Sequence, residues 1–312
     1  MSELNRQVHQ LLDEQIREWP LAEKNFGALR HIASRTVETS SFPVVLQYNA
    51  ERIRSSAAKV DAAALSRRPC FLCPRQLPPE QRYVPFGTDY RIMVNPYPIF
   101  PEHLTIPAVV HTPQRIGGRI ADMVQLAGLL DDFVVFYNGP LCGASAPDHM
   151  HFQAGNKGVL PAERLCAEAE KETIRQTPDA VVYRLPRFQR SSFLIRSTQP
   201  AEVAALFNEL YALLPVHEGE EEPMMNILCW QTGGEWQLLL IPRQQLRPSC
   251  YYAEDGRKRL VSPASVEMGG LFVLPREEDF RHISAAEIEQ ILDEVCLNEE
   301  EIQSIISKFK LP

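Results

Sequence analysis

The stretch from Phe133 to Gln153 constrains this chain more than any other. Phe133-Val134-Val135-Phe136-Tyr137 is a short continuous apolar run, the pattern of a buried strand. Asn138-Gly139-Pro140-Leu141-Cys142-Gly143-Ala144-Ser145-Ala146-Pro147-Asp148 follows, and its glycines and prolines break regular structure. His149-Met150-His151-Phe152-Gln153 then alternates strictly. A strand has a side-chain period of two. The alternation therefore predicts His149, His151 and Gln153 on one face, with Met150 and Phe152 anchoring the other. Two imidazoles and an amide would stand in a row, each roughly 6–7 Å from the next. The competing reading is a half-buried strand whose histidines are satisfied by hydrogen bonds. Three aligned polar groups behind a Gly/Ser loop favour a site.

These residues resemble the His-x-His-x-Gln signature of the histidine-triad superfamily. In particular they look like its branch of galactose-1-phosphate uridylyltransferases, GDP-hexose phosphorylases and ATP adenylyltransferases. That branch carries Gln at the third position, here Gln153, where the hydrolase branch usually carries His. The resemblance implies an α+β fold of two histidine-triad-like halves, with mostly antiparallel sheets in a half-barrel and flanking helices. Residues 1–160 would form the half with the motif, and residues 161–312 a second half without a catalytic His. The resemblance further implies nucleotidyl transfer, with His151 as the nucleophile that forms a covalent nucleotidyl-histidine. A neutral imidazole is suited to this, because it splits one difficult displacement into two easier ones. Gln153 would hydrogen-bond a phosphate oxygen as charge redistributes. Asn138, Ser145 and the loop amides around Gly143 would hold the remaining oxygens, since glycine allows close backbone approach.

A net charge of −8 over 312 residues argues against general binding to nucleic acid or anionic membrane, so a nucleotide site needs its own local arginines. No apolar run approaches the ~18 residues of a membrane span. Met1 to Pro20 is polar with helix-like apolar spacing and lacks a signal-peptide core, so the expected location is cytoplasmic. Seven cysteines, one close pair among them, point to free thiols or metal ligands rather than a disulfide framework.

Gln47-Tyr48-Asn49-Ala50-Glu51-Arg52 ends a strand-like run from Phe42 and reads as a strand with a basic, solvated end. It also resembles the Gln-x-Asn-x-x-Arg segment of GDP-hexose phosphorylases, which implies that Asn49, Arg52 and Arg54 meet substrate phosphates. A guanidinium fork matches phosphate oxygens bidentately. Cys70-Phe71-Leu72-Cys73 has the spacing at which two thiolates bite one zinc ion. Buried free thiols and a redox pair are the alternatives, although Pro69 and Pro74 flank it where a redox motif opens a helix. The segment resembles the Cys-x-x-Cys of galactose-1-phosphate uridylyltransferases. That likeness implies a structural zinc on Cys70, Cys73, His111 and His149, with His103 as a rival for the third place. GDP-hexose phosphorylases generally lack this pair, so the chain mixes features of two subfamilies.

Further elements read in order. Glu3 to Glu18 is an amphipathic helix, and Tyr90 to Val94 and Glu102 to Pro107 are strands. The second of these resembles the histidine-triad strand that starts with His and ends in Ile-Pro, which puts His103 facing the phosphates or packed beneath them. Gln114 to Asp132 reads as a helix, Pro161 to Thr177 as a polar, helical connection, and Ala201 to Leu214 as an amphipathic helix. Met224–Trp230 and Trp236–Pro242 form a hairpin around a Gly-containing turn. Ile241-Pro242-Arg243 resembles a Pro-Arg strand end of GDP-hexose phosphorylases, which makes Arg243 a substrate candidate. Ser262 to Leu274 looks like their late strand. Ser284 and Glu287 form a capping box for the last helix, which reads through Ile302 or beyond and allows a break.

The expected substrate is a nucleoside diphosphate sugar or dinucleotide, with inorganic phosphate or a sugar 1-phosphate as acceptor. Hydrolysis of such nucleotides is the runner-up, and zinc-stabilised nucleotide binding without turnover is the reading from a different class. The oligomeric state stays open, with a homodimer among the expectations.

Overall fold

Ten strands lie side by side in the order β3-β4-β5-β7-β6-β11-β12-β10-β9-β8, and this order is the key to the molecule. The computed structural model describes residues 2–52, 68–186 and 192–310. Helices α1 (Glu3–Glu18) and α2 (Pro20–Leu29) come first, then strands β1 (Ala33–Glu38) and β2 (Pro43–Tyr48). The first half of the large sheet is β3 (Tyr83–Phe86), β4 (Tyr90–Val94), β5 (His103–Pro107), helix α3 (Ile120–Leu129), β6 (Phe133–Asn138) and β7 (His151–Asn156). Helix α4 (Pro161–Glu168) leads to the second half. That half is β8 (Glu172–Gln176), β9 (Ala180–Leu185), β10 (Ser192–Ser197), helix α5 (Pro200–Tyr211), β11 (Met225–Thr232) and β12 (Glu235–Pro242). After it come α6 (Ser249–Tyr252), α7 (Ser265–Met268), β13 (Leu271–Leu274), α8 (Glu277–His282), α9 (Ala285–Val295) and α10 (Glu299–Phe309).

Each half repeats one plan. Three strands run inward from the edge, a helix crosses, the fourth strand lands at the centre, and the fifth slots in beside it. The innermost strands β6 and β11 pair antiparallel, so the two halves share one sheet. Every pairing in that sheet is antiparallel, and it does not close into a barrel. A second sheet, β1-β2-β13, lies apart and joins β2 to β13 in parallel.

The innermost strands β6 and β11 are mostly apolar because both faces are covered. On β6, Phe133, Val135 and Tyr137 enter one core, together with residues of α1, α2, α3, α5 and α10. Val134 and Phe136 enter the other, beneath β2, β13 and α9. Among the described residues no helix is long and apolar enough to cross a membrane.

Several boundaries differ from the sequence expectation. The helix after His111 begins only at Ile120, since Gly118 takes a left-handed φ of +75° just before it. Within Pro161–Thr177, the helix stops at Glu168 and β8 follows as an edge strand in which only Ile174 is buried. The late strand shrinks to Leu271–Leu274, with α7 before it. The break that the sequence allows in the last helix falls after Val295, and Asn298 caps its second part.

Candidate active site and metal centre

Strand β7 begins at His151, two residues later than the alternation predicts. His149 sits in the preceding turn, where its N–H donates to the Ala146 carbonyl at 3.0 Å. That turn rotates His149 away from the row and toward the cysteine pair. Met150 and Phe152 anchor the other face in the core, as expected.

His151 is buried and lines a cavity of about 480 Å³ between the two halves. Its backbone N–H donates to Gln114 Oε1 at 2.7 Å, and its carbonyl accepts from Gln114 Nε2 at 3.0 Å. The ring Nδ1 lies 2.8 Å from the His149 carbonyl. A carbonyl only accepts, so Nδ1 carries the proton and Nε2 keeps its lone pair. Burial, reinforced by the neighbouring His149, pushes the ring down to about 4, so the imidazole is neutral near pH 7. The tautomer and the charge state are those of a nucleophile.

Gln153 lines the same cavity. Its Oε1 is 3.0 Å from His103 Nε2 and 3.4 Å from Asn95 Nδ2. His103 Nδ1 accepts from the Ile99 N–H at 3.1 Å, so Nε2 is the protonated nitrogen and donates to Gln153. With the oxygen held from beneath, the amide N–H₂ is the end available to a ligand. His103 therefore packs under the site, fully buried between Phe100 and Phe136.

The loop after β6 brings Asn138, Gly143 and Ser145 to the cavity wall, as the sequence predicts. Part of what holds the loop comes from the second half and was not foreseen. Asn226 on β11 donates from Nδ2 to Asn138 Oδ1 at 2.9 Å and to the Cys142 carbonyl at 2.8 Å. The Ser265 N–H also donates to Asn138 Oδ1, at 2.7 Å. Gly143 takes a φ of +96°, and a Cβ there would lie 2.5 Å from the Ala264 Cβ. Only glycine fits without displacing that neighbour. Asn226 carried a sequence signal: it is the one polar residue in the apolar run Met225–Trp230, and a buried polar residue is informative.

Arg243 corrects an expectation. Its Nε donates to the Val295 carbonyl at 2.9 Å, and Nη1 to Asn226 Oδ1 and to the Pro263 carbonyl at 3.0 Å. Nη2 donates to the carbonyls of Gln245 and Leu246 at 3.0 and 3.3 Å. All five donors of a guanidinium are thereby used. The side chain is a buried tie behind the loop and is not part of the cavity wall. Asn49 is likewise buried, with Nδ2 3.4 Å from the Pro98 carbonyl, and is not part of the cavity wall. Arg52 closes a 3-10 turn, Ala50–Arg52, and Arg54 lies outside the described residues. Among the described residues, the arginines that line the cavity are Arg68 and Arg247, neither of them singled out by the sequence.

Cys70, Cys73, His111 and His149 converge, with their donor atoms all within 4.8 Å of one another. Cys70 Sγ is 3.3 Å and Cys73 Sγ 3.6 Å from His149 Nδ1, and Cys73 Sγ is 3.2 Å from His111 Nδ1. Tetrahedral zinc, with bonds of about 2.3 Å to sulfur and about 2.0–2.1 Å to nitrogen, sets such donors roughly 3.5 Å apart, so the set fits. His149 Nε2 lies 2.9 Å from the Ala108 carbonyl, which fixes the proton there and turns the Nδ1 lone pair inward. That is the outer-shell pattern of a metal-binding imidazole. His103, the rival ligand, is committed to Gln153. These four residues could bind a metal ion.

Two protein-family models match the chain. One, described as Domain of unknown function (DUF4922), covers residues 11–156, and the other, described as GDPGP1-like, C-terminal domain, covers residues 167–310. A comparison with curated proteins found no match. Among solved structures, yeast Ap4A phosphorylase Apa2 in complex with AMP is similar at 15% identity and a TM-score of 0.65, over 95% of this chain and 98% of that chain. The same yeast protein in complex with Ap4A gives 13% identity and a TM-score of 0.60, over 95% and 98%. A galt-like protein from Arabidopsis thaliana shares 15% identity over 85% of this chain and 99% of that chain, at a TM-score of 0.36. The likeness to the yeast protein is one of fold, and it runs through both halves. Residues 167–310 thus match the GDPGP1-like C-terminal family model, and the chain as a whole has the fold of the yeast protein.

Proposed function

We propose that the protein is a nucleotidyltransferase of the phosphorylase type, acting on a dinucleotide or a nucleoside diphosphate sugar through a nucleotidyl group on His151 Nε2. The observation that carries this reading is the bond between His151 Nδ1 and the His149 carbonyl, which leaves Nε2 as a buried, unprotonated nucleophile in the cavity. In the first step Nε2 attacks the α-phosphorus, a P–N bond forms, and the P–O bond to the leaving phosphate or sugar phosphate breaks. In the second step an acceptor oxygen attacks the same phosphorus, and the ring recovers its lone pair. The Gln153 N–H₂ stabilises charge on the phosphoryl oxygens, and Asn138, Ser145 and the Gly143 amide hold the group in place. The similarity to a protein described as an Ap4A phosphorylase supports a nucleotide substrate. Inorganic phosphate or a sugar 1-phosphate is the acceptor, and the setting is cytoplasmic. Residues 1–160 carry the chemistry, and residues 161–312 brace it.

Zinc on Cys70, Cys73, His111 and His149 completes the proposal. Four protein ligands leave no open position, so its contribution is to tie the turn before β7 to the Cys70–Cys73 loop. Elemental analysis of protein purified without added metal should give one zinc per chain, and Cys70→Ser should lose it together with thermal stability.

The functional test is to incubate the protein with α-phosphate-labelled GDP-hexose, UDP-hexose, ATP and Ap4A, denature it in alkali and look for protein-bound label. Label on the wild type and none on His151→Gly is the expected outcome. Turnover by His151→Gly at the wild-type rate would sink the covalent mechanism.

A further inference from the structure

Strands β6 and β7 pair residue for residue, from Phe133 opposite Asn156 to Phe136 opposite Gln153. The same register would bring Asn138 opposite His151, yet the ladder stops short of that pair. The side chain of Gln114 stands in the gap. Its Nε2 donates to the Asn138 carbonyl at 2.9 Å and to the His151 carbonyl at 3.0 Å, and its Oε1 accepts from the His151 N–H at 2.7 Å. These partners fix which end of the amide is which, because the N–H needs an acceptor and the two carbonyls need donors. Both hydrogens of the N–H₂ are thereby used. The side chain is fully buried and is not part of the cavity wall. One side-chain amide thus takes the place of the main-chain bonds of one strand pair, and it holds the two strands apart there. Its own segment is laced to the turn before β7. The Gln114 N–H donates to the Pro147 carbonyl at 3.1 Å, and the Met150 N–H to the Thr112 carbonyl at 2.7 Å.

The two strands it separates carry the two parts that the reaction must align. Strand β7 begins with His151, and β6 ends at Asn138, where the loop with Gly143 and Ser145 departs. The side chain of Asn138 is gripped from the second half, and its carbonyl by Gln114. We propose that Gln114 is a positioning residue, whose amide sets the separation between His151 and the loop that holds the phosphoryl group. This rests on the displacement at His151 proposed above. An in-line attack needs its reacting atoms about 3–3.5 Å apart and aligned. A ladder closed by main-chain bonds would draw the start of the loop against His151. An empty gap would leave three backbone groups without partners and the strands free to shift. Because Gln114 lies outside the cavity, its effect falls on the rate at which Nε2 closes on phosphorus, and much less on nucleotide binding.

The test uses whichever nucleotide labels the wild-type protein. The single-turnover rate of adduct formation is measured against nucleotide concentration, which gives a saturating rate and a half-saturation point. Gln114→Ala should lower the saturating rate roughly 10²-fold, as a displacement of about 1 Å does, with half-saturation little changed. Gln114→Glu keeps the shape. Protonated, its carboxyl accepts from the His151 N–H and donates to one carbonyl. Ionised, it donates to neither and sets a negative charge against two carbonyl oxygens. Its rate relative to the wild type should therefore fall as the pH rises through the titration of that carboxyl, and Gln114→Ala should show no such limb. A folded Gln114→Ala protein that forms the adduct at the wild-type rate overturns the proposal. A half-saturation point that rises in proportion as the rate falls also overturns it, since that is general loosening of the site. A Gln114→Glu rate in constant ratio to the wild type at every pH overturns it as well, because the donors then play no part. If neither variant folds, Gln114 is a core residue and the positioning role falls. Absence of any adduct on wild-type protein overturns the His151 reading itself, and this proposal with it.

Discussion

Strands β7 and β12 hold the same place in their two halves, fifth in chain order and next to the innermost strand. On the face shared with Phe136, β7 presents His151 and Gln153, and a cavity lies over them. On the corresponding face, β12 presents Leu239 and Ile241, both fully buried in one apolar cluster with residues of α9 and β13. One topology thus yields a strand that faces a cavity and a strand that faces a packed core. The second half is not idle. It supplies Asn226 and Ser265, which hold Asn138, and Ala264, which presses on Gly143. On the function proposed above, a repeated plan keeps the chemistry in one half and turns the other into its frame.

Removing the nucleophile breaks that division most sharply. His151→Gly should lower kcat by on the order of 10⁶-fold while the circular dichroism spectrum and melting temperature stay near those of the wild type. Added imidazole should restore part of the rate. The frame comes next: Arg243→Leu leaves Asn226 Oδ1 and several buried carbonyls without their donor, and should cost about 3–5 kcal/mol in urea unfolding. An Arg243→Leu protein of full stability but lost activity would mean that this residue touches substrate after all. Gln153→Ala should reduce kcat by about 10²-fold with a smaller change in KM, the signature of a contact that strengthens in the transition state. A raised KM with kcat unchanged would make Gln153 a ground-state contact. The smallest effect is expected at the seam. Gly143→Ala should cost about 1–3 kcal/mol through its clash with Ala264. Gly143→Ala combined with Ala264→Gly should recover part of that, because the clash is relieved and the left-handed φ is not. Additive losses in the double variant would show that the two halves are not in contact there.

Patterns local in sequence were legible, and contacts between distant segments were not. The helix Glu3–Glu18 and the hairpin β11–β12 follow from periodicity and turn residues. The Cys70, Cys73, His111 and His149 cluster was readable because resemblance supplied all four positions at once. Arg243, expected at the substrate, sits behind the loop instead, since a guanidinium suits five protein acceptors as well as it suits phosphate. Asn49 likewise lies off the cavity wall, its amide 3.4 Å from a main-chain carbonyl. The start of β7 slipped by two residues because alternation persists into a turn that no period can reveal. Arg247 stayed hidden because nothing in the sequence near it announces a cavity; its position follows from the pairing of two halves.

The smaller sheet has a consequence for how the chain reaches this state. Strand β2 takes its parallel partner from β13, and Arg35 beside it donates to the Ile283 carbonyl, 248 positions away in sequence. Contacts of that span must overcome a large loop-closure entropy before they return any stabilisation, and they form late. During synthesis β2 therefore emerges long before its neighbour exists, with one row of backbone donors and acceptors still open to other chains. Val273 and Glu267, both part of the cavity wall, arrive with that same late segment. The site thus becomes whole only when the last strand docks, which ties acquisition of activity to the slowest closure in the fold.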